Sequence, residues 1–215
     1  MTTSNLQLTS DLAFYGLAGT AAITLIGAVD QTNAAKKRQA LALETVVNII
    51  AAWVYVELKP NLLSGNIGRA SDLRYVDWFL TTPLLLGSLA LYLTEAPSTK
   101  DNRGIQGKQL NSQWLAVLLV VNAAMLICGF NGRGSPNSQA VITKPFVAGW
   151  LCFVFIAVLL IQWYYWVYMV YVFVAVWAMY GAVYLAPVLF RESAYNILDV
   201  ISKSAFGVFL YFGWG

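Results

Sequence analysis

The sequence predicts an all-α membrane protein, a bundle of seven transmembrane helices in which residues 1–215 form one domain. The N-terminus is expected on the extracellular side and the C-terminus in the cytoplasm. Three observations carry this prediction. Of 215 residues, 59% are hydrophobic and 11% charged, whereas soluble domains are about a quarter charged. Several runs of about 20 residues are apolar on every side, the length that crosses roughly 30 Å of hydrocarbon. The stretches between them are short and rich in turn chemistry. A net charge of +3 is too small to suggest nucleic acid or another polyanionic partner. Histidine is absent, which excludes imidazole metal sites and His-based triads.

The first span covers about residues 10–30, and no basic region precedes it, so it is expected to stay in the membrane rather than be cleaved as a signal. The second, 40–59, follows a polar loop holding Lys36, Lys37 and Arg38. Gly65-Asn66-Ile67-Gly68 then leads into the third, 72–93. The fourth, 112–130, follows the loop that begins at Pro97, and Asn131-Gly132-Arg133-Gly134 separates it from the fifth, 145–163. No residue from Phe146 to Phe190 is charged, so the fifth span and the sixth, 166–188, must be joined by a very short turn. That turn is expected within Trp163–Tyr168, whose aromatic rings suit headgroup level. The seventh span covers 193–214. One set of loops holds Lys36, Lys37, Arg38, Lys100, Arg103 and Lys108; the other holds Lys59, Arg69, Arg133, Lys144 and Arg191. The first loop dominates such comparisons and sets the orientation. Cys128 and Cys152 lie in apolar runs and read as buried thiols.

Ionisable groups inside a span are costly and mark function. Arg74, Asp77, Asp199 and Lys203 are four such groups. Lys203 lies near the middle of the seventh span, and Asp199 sits one turn away on the same face. A lysine so placed suits either a structural ion pair or an amine bonded covalently to a carbonyl ligand. Asp77, Thr81, Leu85 and Ser88 fall on one face of the third helix. Arg74, one turn before Asp77, is expected to balance it, and Pro83 is expected to kink the helix. Alone, Thr81 or Ser88 would read as a hydroxyl bonding the preceding turn. Trp177, Tyr180 and Tyr184 form an aromatic stripe that serves packing or, with Trp78, a box for a flat apolar ligand.

These residues resemble the microbial (type 1) rhodopsins, near the bacteriorhodopsin- and proteorhodopsin-like pumps. The likeness extends over all seven spans. It is most specific in Arg74-Tyr75-Val76-Asp77-Trp78 through Thr82-Pro83-Leu84-Leu85, and in Leu198-Asp199-Val200-Ile201-Ser202-Lys203 with Phe206-Gly207. The resemblance implies all-trans retinal bound covalently to Lys203 as a protonated Schiff base, with Asp77 and Asp199 as its counterions. It also implies Trp78 and Trp177 sandwiching the polyene, Tyr55 and Tyr180 bonded around the counterions, and Thr82, Leu85, Tyr184 and Ser202 around the pocket. The family's three-residue motif reads Asp77, Thr81, Ser88, and its leading aspartate matches outward proton pumps. The expected function is therefore a light-driven outward proton pump, a photoactive transporter rather than an enzyme. Its surroundings would be membrane lipid, in the plasma membrane of a cell or host, as a homo-oligomer (trimer or pentamer). A photosensor with a slow cycle signalling to a partner is the rival reading, and a light-gated ion channel the third.

Departures from the family pattern matter. Ser88 stands where many pumps carry a carboxylic donor, and Glu44, three turns before Tyr55 on the same face, is the candidate substitute. An ordinary acid at headgroup level is its competing reading. Glu192 is the candidate proton-release group, with a solvated loop acid as the alternative. Val54 replaces the histidine that proteorhodopsins pair with their acceptor. Gly181 follows Tyr180 where the family usually has proline, which leaves the hinge of that helix unassigned. Leu85 argues for green absorption, and Ser202 for a shift toward the blue.

Overall fold

A chain surrounded by lipid must satisfy its backbone hydrogen bonds internally, and helices do so without a partner. The computed structural model describes residues 3–95, 112–133, 142–165 and 167–214. Six helices come in order: α1 Thr3–Val29, α2 Ala35–Leu63, α3 Ile67–Glu95, α4 Ser112–Gly132, α5 Lys144–Tyr164 and α6 Tyr168–Tyr184. The seventh span is composite: α7 Val188–Asp199, a π-helical turn Val200–Ala205, and α8 Phe206–Gly213. Each of α1 to α5 is long and apolar enough to cross a membrane, while α6 is shorter. This is an integral membrane protein with a seven-helix architecture. Consecutive helices pack side by side, and α1 closes the ring against α2 and α7.

Local chemistry sets the boundaries. Gly65, at φ +76°, ends α2: its N–H donates to the Leu62 carbonyl and the Asn66 N–H to that of Asn61, the paired bonds of a Schellman cap. After α1, Asp30 accepts from the Thr32 N–H (2.9 Å) and hydroxyl (2.8 Å), and these bonds hold its carboxyl below the usual carboxylate range. The expected turn between the fifth and sixth spans falls inside its aromatic cluster, where the Val167 N–H donates to the Tyr164 carbonyl at 2.8 Å. Helix α1 starts at Thr3 rather than 10, α2 and α3 extend beyond both expected ends, and two later boundaries also differ from expectation. The sixth helix stops at Tyr184 rather than 188, and the seventh starts at Val188 rather than 193. Pro187 explains both, because it bars Ala186 from helical geometry and is itself the N-cap of α7. Proline does not break α3, which runs through Pro83. The expected basic residues Lys100, Arg103 and Lys108 lie outside the described residues.

Burial divides the interior into two apolar clusters. One, around Leu6, Leu17, Leu58 and Leu62, lies toward the α1 N-terminus. The other, around Leu41, Leu89, Leu160, Phe173 and Leu210, fills the opposite end. Large apolar side chains such as Trp53, Val56, Leu151 and Val158 point outward, as lipid contact requires. Between the two clusters lie Asp77, Asp199 and Lys203.

Candidate functional site

Lys203 sits within the π-helical turn and is 1% exposed. Its Nζ forms an ion pair with Asp77 Oδ2 from α3 and lies 3.2 Å from Asp199 Oδ1, one turn earlier in its own span. The sequence-predicted trio is thus one buried cluster. Asp199 is also held by two phenols: Tyr55 donates to Oδ2 and Tyr180 to Oδ1, each at 2.9 Å. The Tyr180 oxygen lies 2.8 Å from Ser202 Oγ. Since the single Tyr180 proton is used on Asp199, Ser202 is the donor to Tyr180.

Arg74 departs from its expected role. Rather than pairing with Asp77, its Nε bonds Glu192 Oε2 at 2.8 Å and its Nη1 lies 3.6 Å from Asp199 Oδ2. The reason is that Glu192 is no loop acid: it is a buried residue of α7, 2% exposed, with Arg191 Nε 3.3 Å from its Oε1. Three cations (Lys203, Arg74, Arg191) therefore balance three carboxylates (Asp77, Asp199, Glu192) in one buried network. An unpaired charge here would cost several kcal/mol, about 3–5 when one partner is removed.

Asn196 completes this network and was missed by the sequence reading. Its Oδ1 accepts from Arg74 Nη2 (2.7 Å) and lies 3.0 Å from the Tyr55 hydroxyl, whose one proton is used on Asp199, while its Nδ2 donates to Thr9 and Ser10 of α1, both at 3.0 Å. The signal was an amide within an otherwise apolar span, since a buried amide needs partners. Asn122, also missed, donates to Thr82 at 2.7 Å and links α4 to α3. Thr81 follows the local reading, with its hydroxyl donating to the Asp77 carbonyl at 2.8 Å. Thr82 likewise donates to the Trp78 carbonyl at 2.8 Å.

Beyond Lys203 opens a cavity with Lys203, Ser202 and Tyr180 among its lining. Trp78, Thr82, Leu85, Trp177 and Tyr184, all predicted site residues, also line it. Tyr55 does not line it and acts on Asp199 instead. Trp78 is packed edge-on to Tyr180 (5.5 Å) and Tyr195 (5.4 Å). Tyr184 stacks on Phe146 at 4.7 Å and donates to the Gly132 carbonyl at 2.8 Å. Among the buried polar atoms, Asp77 Oδ1 and Trp78 Nε1 have no hydrogen-bond partner in the protein. A mostly aromatic and aliphatic chamber with a buried amine in its wall fits an elongated apolar aldehyde such as retinal.

Gly181 also gains an explanation. A Cβ there would lie 2.6 Å from Trp150 Cζ2, because the Trp150 indole of α5 occupies the space a side chain on α6 would need. Both residues line the cavity. Glycine at this position is therefore dictated by a partner 31 positions away, which no local pattern reveals.

The opposite half holds Glu44 and Ser88. Glu44 is fully buried rather than exposed to water, and Ser88 Oγ is hydrogen-bonded to its Oε1. The Leu85 carbonyl lies 3.0 Å from the same hydroxyl.

The chain is similar to known proteins over most of its length. The description "Bacteriorhodopsin-like protein" matches residues 7–214. A green-light absorbing proteorhodopsin from Gamma-proteobacterium EBAC31A08 is 26% identical over 84% of this chain and 57% of its own length. The chain thus spans 57% of the length of that curated relative. The crystal structure of viral rhodopsin OLPVRII is similar with a TM-score of 0.78 and 28% identity, covering 96% of this chain and 95% of that one. A blue light-absorbing proteorhodopsin from Med12 shares the fold, with a TM-score of 0.74 and 19% identity over 97% and 95% of the two chains.

Proposed function

We propose that this chain, which belongs to the bacteriorhodopsin-like protein family, is a light-driven outward proton pump carrying all-trans retinal on Lys203. The observation that carries the reading is Lys203 Nζ held between Asp77 and Asp199 in the wall of an apolar cavity. Retinal, an aldehyde, would condense with that amine and supply the light-absorbing polyene whose isomerisation reorients the nitrogen. The remaining work falls to the chain's own residues. Asp77, the carboxylate paired with Nζ, takes the proton, while Asp199 stays charged through its bonds to Tyr55 and Tyr180. Neutralising Asp77 leaves Arg74 drawn to Asp199 and Glu192 alone, and the Glu192 region releases a proton outward.

The proton is replaced from the other half, with Glu44 as donor. Ser88 has one proton for two acceptors, so when it donates to the Leu85 carbonyl, a protonated Glu44 completes the set by donating to Ser88. Ser88 alone would favour a photosensor. A buried carboxyl against it favours the pump, because the donor has moved from α3 to α2. The basic loop with Lys36, Lys37 and Arg38 lies at the Glu44 end, which supports a cytoplasmic assignment for that end and an extracellular N-terminus. A homo-oligomer in the plasma membrane of a cell or host, absorbing green light through Leu85, remains part of the proposal. Cells expressing the chain with retinal should acidify their medium in light, and a protonophore should collapse the change. No pH change, or one whose sign follows an imposed gradient, would overturn the pump in favour of a sensor or a channel.

A further inference from the structure

Glu44 and Lys203 are separated along the bundle by more than one hydrogen bond. Helix α2 runs antiparallel to the seventh span, and Tyr55 lies level with Asp199. Eleven residues back from Tyr55 is Glu44, whereas Lys203 is only four residues on from Asp199. At 1.5 Å per residue the two differ in height by roughly 10 Å. Something polar must stand between them if a proton is to cross.

Asn48 stands there. It is fully buried, one turn from Glu44 on the same face of α2, and level with Gly207. A Cβ on Gly207 would lie 3.5 Å from Asn48 Nδ2, an ordinary contact, and 2.9 Å from Thr20 Cγ2, so the absent side chain lets α1 approach closely at the level of Asn48. Asn48 Nδ2 donates to the Glu44 carbonyl at 2.8 Å, which fixes the amide and leaves Oδ1 as its free end. Asn48 Oδ1 has no hydrogen-bond partner in the protein, and neither do Glu44 Oε2 and Ser204 Oγ, the latter one residue from Lys203. Two of them, Asn48 Oδ1 and Glu44 Oε2, belong to one face of α2 on the way from Glu44 to Lys203, whereas Ser204 Oγ faces Gly16 of α1 beside Val200. The hydroxyl protons of Thr24 and Thr45 nearby are already used, the first on the Thr20 carbonyl and the second on the Leu41 carbonyl or Thr24 Oγ1. Buried polar atoms in such numbers are ordinarily bridged by ordered water, and one water carries two O–H donors, enough for both Glu44 Oε2 and Asn48 Oδ1.

We propose that Asn48 holds a bound water against Glu44 and is the positioning residue of the proton route from Glu44 toward Lys203, along the seam where α1, α2 and the seventh span meet. The inference rests on Glu44 as donor. Per cycle Glu44 gives one proton to the bridging water, the water passes one onward, Lys203 Nζ gains one, and Glu44 regains one from solvent at its own end. Asn48 neither gains nor loses a proton.

Two readouts test this. In a crystal structure of the retinal-bound protein, a water should lie within hydrogen-bond distance of both Asn48 Oδ1 and Glu44 Oε2; a dry seam, or an Oδ1 bonded to a protein group, overturns the proposal. After a flash, Asn48→Leu should slow the return of the proton to Lys203 Nζ, seen as recovery of the visible band, by about tenfold or more. The dark band and the preceding proton loss should stay within about twofold, and Asn48→Ser, which keeps a polar atom and room for water, should recover most of the rate. If Asn48→Leu yields no pigment, Asn48→Ala serves in its place with the same expectation. Glu44→Gln is measured alongside. If it slows recovery while the Asn48 variants do not, the inference fails and the donor reading stands. If Glu44→Gln is silent, the donor reading fails and takes the inference with it.

Discussion

Around Arg74 each of six buried ionisable side chains has an opposite charge within 3.3 Å, whereas around Glu44 one buried carboxyl meets one hydroxyl. The two halves sit in the same ring of helices and differ in what balances charge. In the Arg74 half, cations and carboxylates are equal in number, two phenols also bond Asp199, and an amide bonds Arg74. Moving one proton there rearranges partners instead of stranding a charge. The Glu44 half holds the apolar cluster that includes Leu41, Leu89 and Leu93, and no buried cation pairs with the carboxyl among the described residues. A charged Glu44 would lack a partner, so that half suits storing a proton and the Arg74 half suits releasing one.

Substitutions should separate the halves by size of effect. Asp77→Asn removes the acceptor and should abolish light-driven proton transport, a loss of at least about a hundredfold in the initial rate of medium acidification. Arg74→Leu leaves Glu192 and Asp199 without their guanidinium. It should cost about 3–5 kcal/mol, measured as earlier thermal bleaching of the visible band. Glu44→Gln removes one carboxyl from the sparse half. It should leave thermal bleaching nearly unchanged while slowing recovery of the band after a flash by about ten- to a hundredfold. A stability loss in Glu44→Gln as large as that in Arg74→Leu would erase the contrast between the halves. Smallest is Gly181→Ala, which lies in neither network and crowds the Trp150 indole. Overpacking should cost about 1–3 kcal/mol, and Trp150→Phe in the same chain should return part of it.

The same contrast explains what could be read from the sequence. Charges in apolar spans stand out because each is expensive, so Arg74, Asp77, Asp199, Lys203 and Glu44 were visible without coordinates. Amides cost less and look ordinary, and Asn48, Asn122 and Asn196 passed unnoticed although each is fully buried. Arg191 and Glu192 misled for the opposite reason: two adjacent charges resemble a loop, yet they lie inside α7 and belong to the ion network. Pro187 marks that boundary through the restriction proline places on its neighbour, which hydropathy does not register. The partner of Arg74 and the match of Trp150 to Gly181 depend on which helices meet, and the one-dimensional pattern does not contain that. The π-helical turn at Lys203 left no mark in residue spacing.

The most direct measurement is the site of attachment. Purified protein incubated with all-trans retinal should develop a visible absorption band, and borohydride reduction followed by peptide mass spectrometry should place one retinyl group on Lys203. Absence of the band, or a retinyl group on any other lysine, would contradict the account at its root.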